Sequence, residues 1–282
     1  MLLATLGCLS GGSIWLGGCA SAAAPAASAT TDTATTPEAL PIPIRLHRLG
    51  PADVLLLGEQ HDAPEHQQLH LASVNALVEL NELAALVLEM ADAGTSTAGL
   101  ATSAPAETVQ KALAWREGAW PWGPYAPAIM AAIAAGVPVL GGNLPRARNA
   151  QTMKEPAWDS RVPPDAWQRH QDAVRDGHCN LLPASQIAPM TRIQIARDVS
   201  LSQTAAAHVA RGKTVVVLCG SQHAHRQLGI PLHMPPGLRV KAVRMAAGGA
   251  RPDDGTAFDA VWHTTPVPPV DHCARLKERL GK

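Results

Sequence analysis

Short apolar runs, each followed by a glycine or a polar residue, most constrain what this chain can fold into. Residues 54–57 (Val-Leu-Leu-Leu) run into Gly58-Glu-Gln-His61, and 84–88 into Glu89. Residues 137–140 run into Gly141-Gly142-Asn143, and 214–218 lead to Gly220-Ser-Gln-His223. Residues 240–245 and 258–263 read as two later strands. Between them, residues 64–80, 125–135, 164–176 and 186–211 read as helices, the first opening on Pro64-Glu65 as helix starts often do. Continuous apolar strands alternating with helices predict a single α/β domain, with a mainly parallel or mixed sheet flanked by helices. The domain spans residues 42–282, with the Ala/Thr/Ser/Gly-rich stretch 92–107 as a surface loop.

The N-terminus reads differently. Residues 1–18 are apolar and small, end in Leu16-Gly17-Gly18, and are too interrupted for a membrane-spanning helix. The pattern is similar to a bacterial lipoprotein signal peptide, which would leave Cys19 lipidated as the new N-terminus. Residues 20–41 hold nine Ala, five Thr, two Ser and three Pro. Such a stretch cannot bury enough apolar surface to offset its ordering entropy, so residues 19–41 read as a lipidated Cys and a flexible tether. Ala20 after the Cys favours, by the same resemblance, the outer membrane, with the domain periplasmic or at the cell surface. Disulfides persist in that compartment. Cys219 closes an apolar run and is expected buried, whereas Cys179 and Cys273 lie in loop-like segments and are expected to pair. The 23 Lys+Arg balance 23 Asp+Glu, which gives no electrostatic footprint for nucleic acid. A hydrophobic content of 46% excludes a disordered chain.

Ligands of open α/β sheets bind beyond the carboxyl ends of the strands. That rule selects Glu59, His61, Glu89, Asn143, Arg146 and His223. Two of these ends share one form, strand-Gly-x-x-His, with the glycine expected to permit a tight turn. Carboxylates beside imidazoles suit metal ligation or proton transfer. His66 and His70 share a helix face, which is more often solvated than ligating. His225 is close enough to His223 to line the same mouth, whereas His208, His233 and His272 carry no expected role. Trp115, Trp120, Trp122 and Tyr125 supply four of the nine aromatic residues within eleven positions. Flat rings at a pocket rim suit a planar apolar ligand, and a phenolate can ligate ferric haem.

The ordered motifs carry a resemblance. Gly58-Glu-Gln-His61-Asp62, Glu65-His66, Leu88-Glu89-Met90, Trp120 to Tyr125, Gly141-Gly142-Asn143-Leu144-Pro145-Arg146, Gly177-His178-Cys179, Gln194 with Arg197-Asp198, Gly220-Ser-Gln-His223 and Gly229-Ile230-Pro231 occur in this order. The chain resembles the ChaN family of haem-binding lipoproteins within the Tiki superfamily. The resemblance implies an α/β domain that binds haem, often as a homodimer. It further implies haem or iron uptake at the outer membrane beside a haem receptor. Expected haem contacts are Tyr125, His61, His223, Glu59, Glu89, Asn143, Arg146 and Trp122, with Tyr125 or His61 on the iron and Arg146 or histidines on the propionates. The alternative is a Tiki-like metal-dependent peptidase or esterase, using a divalent metal and Glu59, His61, Glu89 and His223.

Overall fold

A computed structural model describes residues 40–249 and 255–280. The expected signal peptide, Cys19 and nearly all of the tether lie outside the described residues. The element order is α1 (Ile42–Leu49), β1 (Val54–Glu59), α2 (Pro64–Glu79), β2 (Leu83–Asp92), α3 (Ala106–Ala112), α4 (Trp122–Ala134), β3 (Val139–Asn143), α5 (Asn149–Thr152), α6 (Pro164–Gly177), α7 (Ala184–Ala206), β4 (Thr214–Gly220), α8 (Ser221–Ala224), β5 (Val240–Ala247), β6 (Ala260–Thr264) and α9 (His272–Leu280). The six strands form one parallel sheet in the order β3-β2-β4-β1-β5-β6. The domain is thus α/β, and the sheet is parallel rather than mixed.

The alternation of side chains along each strand explains why the runs are apolar throughout. Leu55 and Leu57 of β1 pack with Leu86, Leu88, Val216 and Leu218 under α2 and α4, on one side of the sheet. Val54 and Leu56 pack with Val87, Val215, Val217 and Cys219 on the other side, against Leu201 and Ala205 of α7. Cys219 is a buried free thiol, as its strand position requires. Helix α7 ends at Ala206, short of the expected 211, and α4 starts three residues before the expected 125. The carboxylate of Glu117 accepts the backbone N–H of Trp122, which gives α4 its start. The stretch 92–107 is mostly loop, although Asp92 completes β2.

Strand order decides where a ligand can sit. The chain leaves β1 into α2, which packs on the Leu55/Leu57 side, and leaves β4 into α8, whose Ala224 packs on the opposite side. β1 and β4 are neighbours, so their following loops part above them. This is a topological switch point, the crevice where open α/β sheets take ligands. Both Gly-x-x-His segments lie there.

Candidate functional site

Two glycines let these segments meet. Gly58 has no positive φ, and Gly220 has φ −63°, so neither is present for an unusual turn. Their reason is close approach: a Cβ on Gly58 would lie 2.9 Å from Ser221 Cα and from Ala224 Cβ. A Cβ on Gly220 would lie 2.9 Å from His61 Nε2. The expected tight turn is corrected accordingly.

Glu59, at the end of β1, is 1% exposed and fully engaged. Its Oε1 accepts the Tyr125 hydroxyl at 2.6 Å and the His61 Nδ1–H at 2.6 Å. Its Oε2 accepts Gln67 Nε2 at 2.6 Å and lies 3.6 Å from His70 Nδ1. Burial pushes the Glu59 carboxyl up, but the His61 hydrogen bond, the His61 charge and the Tyr125 hydrogen bond pull it below its ordinary value. Burial pushes His61 down, and its bond to Glu59 with the charges of Glu89 and Glu59 raises it overall. His70 is desolvated to about 4 and is neutral at pH 7.

Glu89 is 4% exposed at the level of Gly220, whose N–H it accepts at 2.7 Å. His223 donates from Nδ1 to Asp198 at 2.6 Å, and its Nε2 lies 3.5 Å from Glu89. Burial pushes the His223 imidazole down, but Glu89 and Asp198 on either side raise it to about 10. Burial likewise pushes Glu89 up, and His223 draws it down to about 2. His223 and Glu89 are therefore both ionised at pH 7.

These groups line or underlie an open cleft of about 640 Å³, bounded by Glu59, His61, Gly220, His223, Arg244 and His272. That volume lies within the roughly 300–1,000 Å³ of small-molecule sites. The His61 side chain is 41% exposed to the cleft, and no described residue hydrogen-bonds its Nε2. His272 reaches the mouth from α9, where it pairs with Asp62 at 3.5 Å. The adjacent Cys273 forms the expected disulfide with Cys179, which ties α9 to the end of α6.

The remaining expected residues fall into two groups. Tyr125 is drawn into the cluster but is 3% exposed and lies behind Glu59. Asn143 supports Glu89 from beneath, donating from Nδ2 to its backbone oxygen at 2.7 Å. Trp122 packs edge-on against Trp115, whereas Trp120 meets the His61 ring at 4.8 Å. Arg146 is exposed beyond β3 and does not line the cleft, while Arg244 does. His225 is not at the mouth; it packs on Phe258 instead. The solvated face expected for His66 and His70 is corrected, because they are 0% and 1% exposed. His66 accepts the Gln60 N–H and bonds Thr264, which fastens the β1 loop. His272, expected to be without a role, stands at the mouth.

Sequence reasoning missed Asp198, Gln67, His70 and Arg244 as parts of the site. A signal was present for three of them. Ile187, Thr191, Ile195, Asp198 and Ser202 form the buried stripe of α7, and Gln67, His70, Val74 and Leu77 that of α2. A carboxylate, amide or imidazole on such a stripe needs a partner across the interface. Among the described residues, no group of three His, Cys, Asp or Glu side chains is arranged to hold a metal ion.

A parallel α/β sheet with paired carboxylates and imidazoles at its switch point is an arrangement that can hold a ligand and move protons. The comparisons narrow it. Residues 45–234 match the model of the family described as "Haem-binding uptake, Tiki superfamily, ChaN", and the chain belongs to that family. No curated protein matches the sequence. Among solved structures, the fold is similar to that reported as "Cofacial heme binding to ChaN of Campylobacter jejuni", with TM-score 0.61 and 22% identity over 77% of this chain and 89% of that one. Two others match at lower similarity. The type III effector HopBA1 has TM-score 0.44 and 16% identity, covering 78% of this chain and 92% of that one. The erythromycin esterase EreC in an open conformation has TM-score 0.42 and 12% identity, covering 77% and 76%.

Proposed function

We propose that this protein binds haem in the cleft above β1 and β4 and serves haem or iron uptake. It would do so from a lipid anchor on Cys19 at the outer membrane, with a haem receptor and a second copy of the chain as its partners. Family membership supports the ligand, and haem binds cofacially to the Campylobacter jejuni ChaN, a protein of the same fold. The disulfide suits an oxidising compartment.

One observation carries the choice of iron ligand. His61 is exposed to the cleft, its Nδ1 is held by a buried carboxylate, and its Nε2 has no hydrogen-bond partner among the described residues. Metal-ligating histidines characteristically have this arrangement, in which the carboxylate orients the ring and raises its basicity. Bound haem would supply the iron, and this chain would supply a fixed imidazole, an edge-on Trp120 and the cation of Arg244 toward carboxylate substituents. Hemin titration followed by absorbance is expected to give a saturable Soret shift, lost in His61→Ala. No shift at micromolar hemin would sink the reading.

A hydrolytic reading is favoured by one feature. His223 is held as a cation beside Glu89, which suits stabilisation of developing negative charge while Glu59 and His61 activate water. It requires turnover of an ester or peptide that vanishes in Glu59→Ala.

A further inference from the structure

We propose that α9 is a strap across the mouth of the cleft, latched by the Cys179–Cys273 disulfide, and that a dithiol reducing this latch frees the strap and speeds ligand release. The latch goes beyond the haem reading; its effect on ligand release is tested with hemin and rests on that reading.

The chain reaches α9 by a stiff connector. After β6 come Pro266, Pro268 and Pro269, which fix φ and offer no N–H to a sheet. The connector is pinned at its start, where the Thr265 N–H donates to Glu65 Oε2 at 3.0 Å. It ends at Asp271, whose Oδ1 caps α9 by accepting the Ala274 N–H at 2.8 Å.

Packing does little to hold α9 itself. Of its described side chains, Cys273 and Leu276 are half-buried and the others are exposed. A concavity of about 650 Å³, bounded by Gly177, His178, Arg275 and Leu276, separates α9 from the end of α6. Among the described residues, the side chains of α9 have two covalent or polar links to the rest of the domain: the disulfide, and the pair of His272 with Asp62 at 3.5 Å. Both members of that pair are exposed, so it contributes little.

The far ends of the two links lie on opposite sides of the mouth. Asp62 follows β1 and lines the cleft with His272. Cys179 follows α6, whose Gly177 and His178 border Gln222 and His223 after β4. The α6 end is fixed, because the N–H groups of Cys179 and Asn180 donate to the carbonyls of Asp176 and Arg175 at 2.9 Å each. Helix α9 is therefore the part that moves when the latch opens, and a segment with so few buried apolar contacts opens at low free-energy cost.

Cys179 and Cys273 are both half-buried, within reach of a small dithiol. One thiolate of the dithiol attacks one sulfur, and the other sulfur leaves as a thiolate and takes up a proton. The second thiol of the reductant then resolves the mixed disulfide. Two electrons and two protons pass to the cysteines, and the reductant ends as its own disulfide.

Hydrogen exchange of the full chain, read by mass spectrometry with and without dithiothreitol, tests the latch. Reduction is expected to speed exchange in α9 by roughly tenfold or more, while β1 and β4 stay protected over the same interval. Cys273→Ser should behave likewise without reductant; if it fails to fold, the reduced wild type still decides. Unchanged exchange in α9 would overturn the proposal. So would protection lost across β1 and β4 as well, because the disulfide would then staple the whole domain. Hemin transfer to excess apomyoglobin should be several-fold faster from the reduced protein than from the oxidised one, and equal rates would overturn the strap's part in holding ligand. Failure of the wild type to take up hemin would instead remove the haem reading, and exchange would still decide whether α9 is latched.

Discussion

The strand ends after β1 and β4 carry the same Gly-x-x-His form, and the protein uses them in opposite ways. Each histidine has its Nδ1 on a carboxylate at 2.6 Å, Glu59 for His61 and Asp198 for His223. There the likeness stops. The His61 side chain is 41% exposed and its other nitrogen faces no acceptor, whereas that of His223 is 11% exposed and meets a second carboxylate, Glu89. One imidazole is left able to take a ligand, and the other is locked as a buried cation. A local motif sets where a side chain leaves the sheet; its neighbours on other elements set its charge state and availability.

The largest way to break this contrast is at the locked end. His223→Ala leaves Glu89 and Asp198 buried without their shared cation, and removing one partner of a buried ion pair costs about 3–5 kcal/mol. Urea denaturation is expected to show that loss. His61→Ala should cost less, about 1–2 kcal/mol, because Glu59 keeps the Tyr125 and Gln67 donors when His61 is removed. Equal losses from the two variants would refute the contrast.

Next comes pH. His223 has a folded value of about 10, above its ordinary 6.5, so its contribution is complete below pH 6.5 and is lost as pH rises toward 10. Glu89 has a folded value of about 2, below its ordinary 4.5, so its contribution is complete above pH 4.5 and is lost as pH falls toward 2. Melting temperature should therefore peak between about pH 4.5 and 6.5 and fall on both sides. In His223→Ala, both flanks should flatten. A wild-type curve still rising at pH 9 would contradict the assignment.

The smallest expected effects separate the two glycines. Gly58→Ala drives a methyl into the backbone of Ser221 and the Cβ of Ala224 and should destabilise by about 1–3 kcal/mol, read by thermal melts. Gly220→Ala meets the His61 ring, which can yield, so stability should change less while hemin affinity falls roughly tenfold, about 1.4 kcal/mol. If Gly220→Ala bound hemin as wild type does, His61 would not be the residue that meets it.

Much of the fold was legible because a two-sided parallel sheet needs apolar strands throughout, a pattern that survives in one dimension. All six strands fall where the runs predict, and of the residues the strand-end rule selected, Glu59, His61 and His223 line one cleft while Glu89 lies against His223. The same rule overreached at Arg146, because β3 is an edge strand, well away from β1. The sequence also pointed to the pairing of Cys179 with Cys273, because of the three cysteines after Cys19 only Cys219 closes an apolar strand run. Only the tertiary structure decided the order of strands, and with it which two histidines share a crevice. It alone brought Asp198, Gln67 and His70 from the buried faces of α7 and α2 to carboxylates and imidazoles on the sheet. It alone turned the lone tyrosine inward onto Glu59. The physical reason is that burial patterns are periodic and local. Hydrogen-bond partners across 25 or 66 residues are set by how helices dock, which no single stretch of chain encodes.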